Sequence, residues 1–157
     1  MPAATLQPWT YRSPSGRVEL FVDPTDRFGA GPARCRLRRG EAVAWERELP
    51  FTLVDALVQE DGAVAGYGYS EGGTRLSGEL VIAVLAPDGR ERGGERIQRV
   101  PGRVHGPAYP SVGRLRRVDD GFALEILDTR PGHEWVHSWK DGARLREGPA
   151  QRPAEEP

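Results

Sequence analysis

Short runs of strand-forming residues alternate with glycine-containing corners along this chain. The clearest example spans residues 51–70, where the apolar run FTLVDALV meets Asp61-Gly62 and returns as AVAGYGYS. Two such runs joined by Asp-Gly are typical of a β-hairpin. A short helix over residues 53–60 is an alternative, because Thr52 could cap it and the glycine of the corner could end it. The β-branched residues and the following AVAGYGY favour the strand.

Similar corners recur along the chain. Asp88-Gly89, Asp120-Gly121 and Asp141-Gly142 each lie between strand-forming runs, and Arg39-Gly40 resembles them. The segment ELVIAVL (79–85) is apolar on both faces and predicts a central strand, whereas the charged stretch after it predicts an edge strand protected by its charges. No window shows a helical stripe over three turns. The pattern therefore predicts an all-β fold, built as an antiparallel hairpin meander.

A two-residue turn at Asp61-Gly62 would set the register of the first of these hairpins. It predicts that Val58 faces Ala65. The glycines of AVAGYGYS then lie where another backbone or a ligand could approach closely. Asp55 shares a face with leucine neighbours, and we expect its carboxylate to reach a backbone N–H or the solvent edge.

The hairpin at Arg39-Gly40 has two distinct predicted faces. Cys35 points inward among apolar neighbours, which predicts a small core residue and not a nucleophile, since no His lies near it in sequence. On the outer face Arg34 is predicted opposite Trp45, where the two side chains could form a cation–π contact.

Length and composition favour one turn-rich domain. The chain has 157 residues, 38% of them hydrophobic and 29% charged, with 20 Gly and 14 Pro, so it can bury a core without a metal or a disulfide. We predict an extended arm over residues 1–15, with Trp9 or Tyr11 against the body. A single all-β domain over 16–147 and a disordered, proline-rich tail over 148–157 are predicted to follow.

Charge and cysteine content narrow the function classes. The formal net charge is −1, which predicts no general attraction to nucleic acid or to an anionic membrane. A lone cysteine suits a reducing compartment, and we find neither a leader pattern nor a stretch of about 18 apolar residues. We therefore expect a cytoplasmic protein without a cofactor.

One short motif points to a specific chemistry. The segment HEWVH (133–137) resembles the HExxH motif of zincin metalloproteases, in which two His bind zinc from one helix face and the Glu serves as general base. A helix would separate the two His by about 6 Å along its axis, whereas a strand separates them by about 13 Å, too far for one metal. Pro131-Gly132 and Asp141-Gly142 leave room for barely two helical turns. The sequence therefore favours a strand without metal, with a zinc-dependent hydrolase as the alternative.

As a strand, this segment predicts a contact surface. Trp135, His137 and Trp139 would share one side, with Arg144 opposite Trp139 across the last hairpin. Trp and Arg are enriched at binding hot spots, although core positions for one or both Trp are an alternative. We assign no catalytic or metal-binding residue. The predicted function is a non-catalytic protein-binding or interaction module. Its predicted partner is another protein, and an oligomer or a larger complex is the alternative.

The phrases RRGEAVAWERELP, VQEDGAVAGYGYS, LAPDGRERGGERI and WKDGARL resemble the strand-turn-strand units of β-propeller repeats in bacterial proteins. The resemblance covers residues 12–145 and implies four-stranded blades. Roughly eleven short strands would make fewer than three blades, whereas closed propellers have at least four. The chain is then either a propeller-like fragment completed by another chain, or a sandwich or barrel closed on itself.

Overall fold

A computed structural model describes residues 7–25, 31–69, 78–99, 109–128, 133–139 and 144–149. These residues form strands and turns without a helix, so the all-β prediction is confirmed. The helical alternative over residues 53–60 is wrong, since most of that segment is a strand. The strands are β1 (Trp9–Arg12), β2 (Val18–Pro24), β3 (Ala33–Arg39), β4 (Ala42–Leu49), β5 (Leu53–Val58), β6 (Val64–Tyr69), β7 (Glu79–Leu85), β8 (Glu91–Gln98), β9 (Ser111–Val118), β10 (Gly121–Leu127), β11 (His133–Ser138) and β12 (Arg144–Pro149).

The strands form three four-stranded antiparallel sheets, each a meander of sequential strands. Their orders are β1-β2-β3-β4, β5-β6-β7-β8 and, for the third, β12-β11-β10-β9. The predicted hairpin meander is therefore confirmed, and none of these described sheets closes into a barrel. The predicted edge position of the charged segment is also confirmed, since β8 is the last strand of its sheet.

The middle sheet packs on both of its faces, which gives two cores. Alternate side chains of β7 enter different cores because successive residues of a strand point to opposite faces. Val81, Ala83 and Leu85 pack with the first sheet, whereas Leu80, Ile82 and Val84 pack with the third. This double coverage explains why ELVIAVL is apolar throughout and confirms the predicted central strand.

The first and third sheets cover the middle sheet with one apolar face each. From the first sheet, the buried side chains include Val18, Leu20, Val22, Cys35 and Leu37. From the third sheet, they include Phe122, Leu124, Ile126, Trp135 and Trp139. The strand β5 contacts both β1 and β9, so the first strands of the three sheets lie side by side.

The corner at Asp61-Gly62 is longer than predicted. Gln59 N donates to Ala63 O at 2.8 Å, and Gly62 N donates to Gln59 O at 3.0 Å. Gly62 has a φ of 95°, in the left-handed region that glycine adopts without strain. This is a three-residue loop closed by a glycine bulge.

The longer corner shifts the hairpin register by one residue. Val58 pairs with Val64, so the predicted pairing of Val58 with Ala65 is wrong. A shift of one residue exchanges the faces of a strand. As a result, Asp55 lies opposite Tyr67.

The second hairpin also turns one residue later than predicted. Arg39 pairs with Ala42, and a bulge after Leu37 places that residue opposite Trp45. Trp45 is therefore buried, and the predicted contact of Arg34 with Trp45 is wrong, since Arg34 pairs with Glu48. The core position of Cys35 is confirmed: it is 0% exposed, and burial raises the pKa of its thiol to about 12.

The predicted arm contains a strand, and the predicted boundary before the tail cuts through another. The strand β1 lies inside the predicted arm and pairs with β2, while β12 continues to Pro149, beyond the predicted boundary at residue 147. Three prolines led to the prediction of an arm, but the segment between Pro8 and Pro14 is long enough to add the strand β1 to the first sheet.

The corner of β5 and β6 joins the other sheets to the middle one. Ser15 donates from its backbone N and its Oγ to the carboxylate of Glu60, at 2.7 and 2.6 Å. The guanidinium of Arg39 donates to Asp61 O, and that of Arg117 donates to Val58 O at 2.5 Å. The first and third sheets are thus both fastened to one end of the middle sheet.

Candidate binding site

The aromatic residues predicted as a contact surface lie inside the molecule. Trp135, His137 and Trp139 are 7%, 1% and 4% exposed. The His137 ring stacks on Phe122 with ring centroids 4.9 Å apart and an interplanar angle of 13°. Trp139 also packs on Phe122, at 5.5 Å. The predicted exposure of this surface is therefore wrong, because these residues, from β11 and the position after it, lie on the side of the third sheet that packs on the middle sheet.

The last predicted site residue, Arg144, begins β12. Its backbone pairs with His137, because a bulge interrupts the register after Val136. The predicted position opposite Trp139 is therefore wrong. The Arg144 side chain and the corner at Asp141-Gly142 lie outside the described part of the structure.

The HExxH segment forms the strand β11, His133–Ser138, as favoured by the sequence. At about 3.3 Å per residue, a strand places the Cα atoms of residues 133 and 137 about 13 Å apart. The His133 side chain lies outside the described residues. Across the described ranges, no group of three or more His, Cys, Asp or Glu is placed to hold a metal ion.

A pocket of about 460 Å³ lies between β1 and β5, at the junction of the first and middle sheets. Its walls come from the start of the chain, from the end of β2 and from β5. The lining residues are Gln7, Trp9, Tyr11, Val22, Pro24, Thr52, Leu53, Val54 and Asp55. We name this cavity the Trp9–Asp55 pocket.

Two aromatic rings from β1 line the pocket. Trp9 pairs with Val22 through its backbone and is 63% exposed. Tyr11 is partly buried against the first core, which confirms that this ring lies against the body. Burial raises the pKa of Tyr11 to about 12, and the charge of Asp55 contributes to the rise. Tyr11 and Asp55 are therefore electrostatic neighbours across the junction.

Asp55 supplies the acidic group of the pocket. The register of β5 shifts between Leu53 and Asp55, and such a bulge re-aims side chains next to it. Asp55 Oδ1 accepts a hydrogen bond from Ala56 N at 2.9 Å, so the expected contact with a backbone N–H is confirmed. Burial raises the pKa of Asp55, and this hydrogen bond opposes the rise.

The tyrosine opposite Asp55 belongs to the same electrostatic group. Burial raises the pKa of Tyr67, with smaller contributions from Tyr69, Asp55 and Tyr11. Tyr67 and Tyr69 meet edge to face at 6.0 Å, and the guanidinium of Arg99 lies 4.4 Å from the Tyr69 ring. Asp55 thus has phenols on two sides, from β1 and from β6.

Asp55 alone carries a formal charge among the described residues that line the pocket, and they include no His, Cys or Lys. The lining thus offers an acidic, aromatic surface. Aromatic faces and a carboxylate both attract cations. The sequence signal for this site was weak, because Trp9 and Asp55 lie on separate sheets and their proximity depends on tertiary packing.

No family model, curated protein or solved structure matches this chain. The propeller resemblance stays a prediction. In the described residues, none of the elements is a helix long and apolar enough to cross a membrane. The geometry of the Trp9–Asp55 pocket is therefore the basis for assigning a function.

Proposed function

We propose that this protein is a non-catalytic binding module and that the Trp9–Asp55 pocket is its contact site. The observation that carries the proposal is the 63% exposure of Trp9 on a cavity that also contains a half-buried tyrosine and a carboxylate. Tryptophan and tyrosine are enriched among residues that dominate binding energy. The pocket volume, about 460 Å³, falls in the range of about 300–1,000 Å³ usual for binding sites.

The partner we propose is another protein, met in the cytoplasm. A carboxylate in the pocket lining disfavours phosphate groups, which supports a protein over a nucleic acid or an anionic lipid surface. A second copy of this chain is the alternative occupant, and the mass of the captured complex distinguishes it from another protein. The zinc-dependent hydrolase is not proposed, because β11 is extended through the HExxH segment.

Affinity capture from the source cell tests this function. Three tagged forms are compared: the native chain, Trp9→Ala, and Val43→Ala as a control. Val43 is a large apolar residue that is 50% exposed on β4, at the opposite edge of the first sheet from β1. We expect a partner that the native and Val43→Ala forms retain and that Trp9→Ala depletes by about tenfold or more, as at a binding hot spot.

Quantitative mass spectrometry measures the captured partners, and thermal melting confirms that all three forms are folded. A partner list that does not change with Trp9→Ala would show that this pocket is not the contact site.

A further inference from the structure

We infer that the Trp9–Asp55 pocket takes the cationic end of a lysine or arginine side chain presented by the partner protein. This inference rests on the proposed function and adds the chemical class of the group that is bound.

The charge of the pocket comes from one carboxylate. Among the described lining residues, Asp55 brings a negative charge and no side chain brings a positive one. Ala56 N occupies one acceptor position of Asp55 Oδ1, and a carboxylate has about four such positions. Asp55 therefore retains acceptor capacity for the N–H groups of a guanidinium or an ammonium.

The aromatic rings of the pocket also favour a cationic group. A cation over an indole or phenol face is attracted by the ring quadrupole, most strongly over tryptophan. Trp9 and Tyr11 alternate with Thr10 along β1, so both rings lie on the same side of this strand. They line the pocket with Asp55, so one cation can contact a ring and the carboxylate together.

The exposure of the site favours a side chain over a free cation. Binding pockets bury about 70–90% of a small ligand, whereas Trp9 leaves most of its surface in solvent. A protein surface around the inserted side chain would cover that ring. A free cation would leave it exposed.

Three capped tripeptides test the inference: Ac-Ala-Arg-Ala-NH₂, Ac-Ala-Lys-Ala-NH₂ and the citrulline analogue, which replaces the guanidinium of arginine with a neutral urea of nearly the same shape. Methylguanidinium is the free-cation probe. Each is titrated into the ¹⁵N-labelled full chain, and chemical shifts, including that of the Trp9 indole N–H, give the Kd.

We expect at least one cationic peptide to bind about tenfold more tightly than the citrulline peptide, which corresponds to about 1.4 kcal/mol. In Asp55→Asn this preference should fall to about twofold or less, because the neutral amide keeps the shape and loses the charge. Methylguanidinium should bind more weakly than the arginine peptide.

Each contrary result has its own meaning. Equal binding of citrulline, or a preference that persists in Asp55→Asn, would overturn the assignment of a cation. Methylguanidinium as tight as the arginine peptide would overturn the assignment of a protein side chain. If Trp9→Ala still abolished capture of the partner in the affinity experiment, the proposed binding module would stand. Only the chemical class of its ligand would then be wrong.

Discussion

Asp55 is the residue at which the proposed binding and the stability of the fold oppose each other. Burial raises the pKa of Asp55 above its value in the unfolded chain, although the hydrogen bond from Ala56 N opposes the rise. Protonation therefore favours the folded state. This contribution to stability is fully present below the unfolded pKa and is lost as pH rises through the folded pKa. At neutral pH the chain holds a half-buried carboxylate at a cost, as functional sites often do.

We predict that Asp55→Asn stabilises the protein at pH 7. The amide oxygen can still accept the hydrogen bond from Ala56 N, while the desolvation penalty of the charge disappears. Because the group is only half-buried, the gain in unfolding free energy should be no more than about 1 kcal/mol. Urea denaturation at pH 7 and at pH 3 measures it, and the gain should shrink at the lower pH.

The matched control for this change is Asp88→Asn. Asp88 Oδ1 also accepts a backbone hydrogen bond, from Arg90 N at 3.0 Å, but Asp88 is exposed. Its substitution should change stability by about 0.5 kcal/mol or less. An Asp55→Asn variant that is less stable than the native chain at pH 7 would contradict the proposed burial cost.

At the scale of elements, three Asp-Gly pairs occur in similar sequence contexts, but the structure requires their glycines for different reasons. Gly62 and Gly89 close three-residue loops with φ of 95° and 87°. Gly121 instead begins β10, after a turn formed by Asp119 and Asp120. A Cβ built on Gly121 would overlap His137 O of the neighbouring strand. Glycine is needed there for close approach and not for a left-handed turn.

Gly121→Ala should therefore destabilise the third sheet. The added methyl group meets a backbone carbonyl that cannot move without disturbing β11, so we expect a loss of about 1–3 kcal/mol in unfolding free energy. Gly113→Ala, in the adjacent strand β9, is the control: its Cβ would meet only side-chain atoms of Glu125 and Leu127, at 3.3 Å or more. Chemical denaturation of both variants gives the comparison, and equal stability would show that β11 can yield.

The hairpins could be predicted from sequence because their signals are local. Apolar runs and Gly corners identified the strands from Ala33 to Leu127, and the doubly apolar pattern of β7 identified the central strand. Registers were less predictable, since one glycine in the left-handed region, such as Gly62, adds a residue to a loop and shifts every pair.

The candidate site was harder to predict because alternation in a strand does not say which face is covered. Trp135, His137 and Trp139 have the pattern of a surface stripe and of a core stripe equally. Packing of the third sheet on the middle sheet made them core. The Trp9–Asp55 pocket joins residues far apart in sequence, and its acidic residue depends on a bulge in β5, so a local pattern could not reveal it.

At the scale of the whole molecule, the outer faces of the stack bear on the propeller-like alternative. On the outer face of the first sheet, Arg34 pairs with Glu48 and Arg36 with Glu46. On that of the third, Arg116 donates to Glu134 at 2.6 Å. A blade supplied by another chain would need an apolar face to pack on. The charged row of the first sheet, where Arg34, Glu46 and Glu48 are exposed, instead matches a face in contact with water, so the structure favours a stack that ends at the first sheet on that side.

The outer face of the first sheet gives a direct test of this reading. Arg34 is exposed on β3 and Leu37, three residues on, points into the first core with 0% exposure. If water covers the outer face, Arg34→Ala changes the unfolding free energy by about 0.5 kcal/mol or less. Leu37→Ala, on the opposite face of the same strand, should lower it by about 2–5 kcal/mol. Urea denaturation measures both variants.

Light scattering on the native chain completes this test, because a blade from a second copy would double the mass of 17.3 kDa. We expect the mass of one chain, since association through ion-paired rows would have to remove water from several charges at once. A large loss of stability in Arg34→Ala, together with a dimeric native chain, would mean that the charged face is buried against a partner sheet. The propeller-like arrangement completed by another chain would then replace the three-sheet stack.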